Sequence, residues 1–92
     1  MTIDDLLKQA RSIWGNKRMT LDQIVIANGV TTGDIHRYAR DKSEGKSVDE
    51  HELKKELGNI IFSTIRWCDD LGFSPEDCIK LAKDAQTNYQ DS

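Results

Sequence analysis

Apolar residues recur at helical spacing along most of this chain. Ile3, Leu6, Leu7, Ala10, Ile13 and Trp14 form one such series. Thr2 stands before it as a cap, Asp4 and Asp5 fall in the first turn, and Gly15 supplies a stop, so a helix of about three turns is predicted. After a short basic connection from Asn16 to Met19, Thr20 and Gln23 form a capping-box pair. Leu21, Ile24, Val25, Ala27, Ile35, Tyr38 and Ala39 continue the next series. Gly29 and Gly33 interrupt it four residues apart. Each glycine costs ~1 kcal/mol against alanine inside a helix. Either close packing compensates, or the chain turns at Gly29.

Asp41 to Ser47 is polar, contains Gly45, and reads as the main loop. A third helix is predicted from Val48 or Asp49 to Leu71. Leu53, Leu57, Ile60, Ile61, Thr64, Ile65, Cys68 and Leu71 make its apolar side. Glu52, Glu56, Asn59, Ser63, Arg66 and Asp70 make an opposite polar stripe. Gly72 ends it. Ser74 and Pro75 then open a fourth helix, with Glu76 and Asp77 at its positive end, running to about Tyr89. Gln90, Asp91 and Ser92 are expected to fray. The expectation is an all-α fold of four helices in a single domain, residues 1–92. A domain this short buries only ~60–65% of its unfolded surface. The apolar stripes of the first and third helices are wide for four helices to cover, so the core is expected to be completed by a homo-oligomer, with Ile61, Ile65 and Cys68 near the shared part.

Charge removes some functions. Sixteen acids against thirteen Lys and Arg leave a net charge of −3, so no global attraction to nucleic acid or an anionic membrane is expected. Cys68 and Cys78 lack the spacing of a zinc site and are expected to be reduced, buried apolar groups. There is no signal-peptide pattern and no apolar run long enough to span a bilayer. A cytoplasmic location is expected, with no membrane partner.

The candidate chemistry lies in Glu52-Leu-Lys-Lys-Glu56-Leu57-Gly58-Asn59, followed by an apolar helix and then Leu71-Gly72-Phe73-Ser74-Pro75-Glu76-Asp77. This resembles the MazG-like nucleotide pyrophosphohydrolases, all-α proteins that carry a Glu-Leu-Gly-Asp pair and a later Leu-Gly-hydrophobic turn. Thr32-Gly33-Asp34-Ile35 is similar to the end of the family's Glu-Glu-x-x-Glu motif, and the likeness covers about residues 14–86. The resemblance implies a magnesium site in which carboxylates on two helices face each other and a metal-activated water attacks a phosphorus. It places Val30, Thr31, Asp34, Glu56 and Asn59 at the five ligand positions. Only Asp34 and Glu56 are acids, and these two are the metal candidates.

Losing three carboxylates lowers magnesium affinity by orders of magnitude and removes bases for water activation. The leading expectation is therefore nucleotide binding without efficient hydrolysis and without a required cofactor. The candidate ligand-binding residues are Asp34, Arg37, Glu56, Asn59, Arg66 and Trp67. His36, Arg40 and Lys55 are further cations, and Phe62 and Trp14 further rings for a base. A phage protein that sequesters a host signalling nucleotide extends this reading. A weak magnesium-dependent pyrophosphohydrolase is the second reading. The third is a helix-turn-helix over residues 20–39, with a turn at Gly29 and with Thr31, Thr32, His36 and Arg37 facing DNA; the acidic balance of the chain opposes it. One continuous helix through Gly29 favours the MazG-like arrangement, and a sharp turn there favours DNA binding. All these side chains also have plainer roles: the polar stripe as a solvated face, Trp67 as core or subunit interface, His36 and the arginines as ordinary surface groups.

Overall fold

The helix bounds follow from capping chemistry that the chain carries in its own sequence. A computed structural model describes residues 1–91, and these form four helices and no strand. In α1 (Ile3–Trp14), the Thr2 side chain accepts the Asp5 N–H at 3.1 Å, and Gly15 takes φ 81° to end the helix. In α2 (Leu21–Ser43), Thr20 and Gln23 complete the reciprocal capping box. The third helix, α3 (Glu50–Asp70), is capped by Asp49, which accepts the Glu52 N–H at 3.2 Å. It closes in a Schellman arrangement: Phe73 N–H donates to the Cys68 carbonyl, Gly72 N–H to that of Asp69, and Gly72 takes φ 82°. Ser74 caps α4 (Pro75–Asp91) by accepting the Asp77 N–H at 3.4 Å. Gln90 and Asp91 stay helical, and Ser92 lies outside the described residues.

Two expectations about α2 are corrected. First, there is no turn at Gly29; the helix runs unbroken through Gly29 and Gly33. Nor do the glycines admit a neighbour, since a Cβ added at either would meet nothing within 4 Å. Second, the expected loop from Asp41 to Ser47 begins later, because Asp41, Lys42 and Ser43 are helical. Arg40 and Lys42 complement the helix C-terminus, and the Ser43 hydroxyl donates to the Arg40 carbonyl at 2.7 Å. The chain then turns at Gly45, φ 77°.

Within this arrangement α3 is the central element, and α1, α2 and α4 each pack on it. The buried apolar set is small: Ala10, Ile24, Ile65 and Trp67, with Pro75 beside them. Ile65 is therefore covered within one chain, whereas Ile61 on the same helix is 65% exposed. The polar stripe of α3 is not a uniformly solvated face, because Arg66 and Asp70 at its C-terminal end are buried. The chain exposes 7183 Å², against about 5,400 Å² for a compact monomer of its mass. Its radius of gyration is 15.5 Å, against about 12 Å for a compact domain of this length. Leu21, Val25, Ile26 and Val30, each more than half exposed, form an apolar stripe with Gly29 and Gly33 on α2. Among the described residues, no helix is long and apolar enough to cross a membrane.

Candidate functional site

The connection between α2 and α3 is short, residues 44–49, and the two helices pack on each other, so the chain reverses between them. Arg37 lies six residues before Ser43 and Glu56 six residues after Glu50, both about 9 Å from the ends. Asp34 and Asn59 are each nine residues from the same ends, about 14 Å along. Asp34 and Arg37 share a face of α2 through their spacing of three, as do Glu56 and Asn59 on α3. Asp34 and Glu56 are half-buried; Arg37 and Asn59 are exposed. Arg37 places its guanidinium carbon 5.4 Å from the Tyr38 ring centre. Four of the six candidate residues thus lie at matching distances along α2 and α3 from the connection between them.

Arg66 and Trp67 lie elsewhere. Arg66 is two turns beyond Asn59 on α3, and its Nη2 approaches the Met19 sulfur at 3.6 Å. Met19 lies ahead of α2, roughly 20 Å along that helix from Asp34. The Trp67 ring is 6% exposed and its Nε1 has no hydrogen-bond partner. As a platform for a base it is therefore corrected: packing against the neighbouring helices covers its faces, and it serves the core. Of the rings considered, Trp14, at 66% exposure, is the accessible one at this end of the molecule.

The sequence reading did not single out the polar cluster between α1 and the end of α3. Arg11 Nη2 donates to Asp69 Oδ2 and Asp70 Oδ1, both at 2.6 Å. The hydrogen bond that Arg11 donates to Asp69 is the largest influence raising the Arg11 pKa above its ordinary value. The Asp70 side chain is fully covered, and its Oδ2 has no partner. Arg18 donates to the Asp69 carbonyl. The available signal was the Asp69-Asp70 pair at the end of an otherwise apolar stretch of α3, where helix C-termini disfavour acids. Nearby, burial pushes the Cys68 thiol up to about 11, helped by its hydrogen bond with Cys78.

One cleft, of about 530 Å³, lies by the α2–α3 connection among Ile35, Tyr38, Lys42, Val48 and Leu53, and Asp34, Arg37, Glu56 and Asn59 do not line it. A cavity of about 420 Å³ includes Arg66 but none of the other five candidates. Magnesium does not fit the residues at the family's ligand positions. Val30 has no oxygen, the Thr31 hydroxyl donates to the Ala27 carbonyl at 3.3 Å, and Asn59 is neutral. That leaves Asp34 and Glu56, and no group of three or more His, Cys, Asp or Glu suited to a metal occurs among the described residues. No family model matches the chain, and neither does any curated protein or solved structure.

Proposed function

We propose that this chain is a MazG-like protein that binds a nucleotide without efficient hydrolysis and assembles with further copies of itself. The supporting observation is the unbroken α2 packed on α3 across a short connection, with Arg37 and Glu56, and Asp34 and Asn59, at matching distances from it. The same continuity removes the turn that the DNA-binding reading requires. Two carboxylates repel phosphate less than five do. Arg37 then serves as the anion partner through charge-assisted hydrogen bonds worth ~1.5–3 kcal/mol each. In this reading the protein holds a nucleotide, and sequestration of a nucleotide signal, as by a phage protein in its host, is the role that follows.

The second copy is supported by surface area. The excess over a compact monomer is about 1,800 Å², whereas a standard interface buries about 800 Å² per partner. The α2 stripe of Val25, Ile26, Gly29, Val30 and Gly33 is the face proposed for it. Titration with nucleoside triphosphates, with and without EDTA, tests the binding reading. Binding should survive chelation and weaken in Arg37→Ala. Binding that disappears with EDTA and ignores Arg37 overturns it in favour of a magnesium enzyme.

A further inference from the structure

The cavity of about 420 Å³ between the end of α1 and the start of α2 is lined by Trp14, Lys17, Arg18, Met19, Gln23 and Arg66. Three of these six are cations, in a chain whose net charge is −3. Arg66 is the unusual member. It is nine-tenths buried, forms no ion pair among the described residues, and its Nε is covered and without a partner. Its recorded polar and ring contacts are the Met19 sulfur and the Trp14 ring, whose centre lies 4.8 Å from the guanidinium carbon. A thioether and a ring face offset little of the cost of burying this charge. Asp70, one turn on, forms no ion pair with it; its Oδ1 accepts from Arg11. Counting that neighbouring cluster, the four cations Arg11, Lys17, Arg18 and Arg66 stand against the two acids Asp69 and Asp70, an excess of two positive charges. Gln23 accepts the Thr20 N–H at its Oε1, at 3.0 Å, and keeps its amide N–H groups as donors.

We infer that this cavity is a binding site for a compact phosphate-type oxyanion, with Arg66 and Lys17 as its charged contacts. The anion supplies the counter-charge that Arg66 lacks where this side chain lines the cavity, and Lys17, exposed at the rim, adds a second charge. Trp14 borders the site, so a phosphate ester carrying a flat ring can lay that ring on it. The site is independent of the α2–α3 reading, since Asp34, Arg37, Glu56 and Asn59 do not line it.

The test is a pyrophosphate titration of the full chain at constant ionic strength, followed by calorimetry and by NMR of arginine Nε–H and tryptophan Nε1–H signals. Saturable binding is expected, with the Arg66 Nε–H and Trp14 signals moving and that of Trp67 staying. Arg66→Met should weaken binding about tenfold or more. Should that variant lose its helical circular dichroism, Lys17→Gln, at an exposed position, must still weaken binding. Arg40→Gln, at the far end of α2, must not. A parallel nucleoside triphosphate titration separates the sources. Affinity equal to that of pyrophosphate assigns the phosphoryl groups alone. Tighter binding that is lost in Trp14→Leu assigns a ring-bearing ester. The inference is overturned by no saturable binding at millimolar pyrophosphate, by equal binding in wild type and Lys17→Gln, or by equal weakening in Arg40→Gln. It is also overturned if the Arg66 signal follows protein concentration rather than pyrophosphate, which would assign the anion to a carboxylate of a second copy.

Discussion

Replacing Arg11 with methionine keeps most of the side-chain stem and removes the charge shared by Asp69 and Asp70. The two acids then differ in consequence. The Asp69 side chain is 29% exposed and can turn to water, but that of Asp70 is fully covered, with one oxygen already unpartnered. Breaking a buried pair by removing one partner costs ~3–5 kcal/mol, because the remaining charge is left uncompensated. A chain of this length has about 5–14 kcal/mol of stability in total, so about a fifth or more is at stake. At about 4–8 °C per kcal/mol, Arg11→Met should melt at least ~12 °C lower by circular dichroism, at matched protein concentration. Adding Asp70→Asn to Arg11→Met removes the stranded charge and should recover part of the loss, giving a coupling between the two positions. A loss below ~1 kcal/mol, the range of an exposed pair, with no recovery in the double variant, would refute the claim that this cluster holds α1 on α3.

Three further outcomes follow from the same structure. Val30→Arg places a charge on the apolar α2 stripe at a position 64% exposed in the single chain; light scattering should show the wild type as a dimer or larger and the variant shifted toward the 10.5 kDa monomer, and a wild type already monomeric at micromolar concentration contradicts the assembly. In the proposed MazG-like reading, Val30, Thr31 and Asn59 stand where carboxylates would bind metal, so magnesium and nucleoside triphosphates should yield little pyrophosphate; turnover of ~1 per second or more would show the lost ligands to be misassigned. Cys68, held at about 11 against an ordinary 9.0, carries about a hundredfold less thiolate at neutral pH than an unperturbed thiol and should alkylate correspondingly slowly; labelling of Cys68 as fast as a free thiol, read by peptide mass spectrometry, would contradict its burial.

The elements were legible because their ends are local chemistry. Thr2, Thr20, Asp49 and Ser74 cap by side-chain contacts within three residues, and Gly72 ends α3 by a backbone conformation that glycine favours. The end of α2 was misjudged because polarity and Gly45 pointed to a loop, while Arg40, Lys42 and Ser43 satisfy a helix C-terminus. The continuity through Gly29 and Gly33 was not decidable locally, since propensity allows both a turn and a helix at a modest cost. At the site, the matching positions of Arg37 and Glu56 and of Asp34 and Asn59 along α2 and α3 follow from helical spacing and a short connection. The fates of Arg66, Trp67 and Asp70 could not. They are neighbours on one helix, and their surroundings are set by Trp14 and Met19 for Arg66 and by Arg11 for Asp70, residues far away in sequence.

The most direct test of nucleotide binding by an assembled MazG-like protein is a native mass spectrum of the full chain mixed with nucleoside triphosphates and EDTA. The account predicts an integral multiple of the 10.5 kDa chain carrying intact nucleotide, which chelation leaves in place and Arg37→Ala depletes. A 10.5 kDa monomer that carries no nucleotide, or bound nucleotide seen only when magnesium is restored, would contradict it.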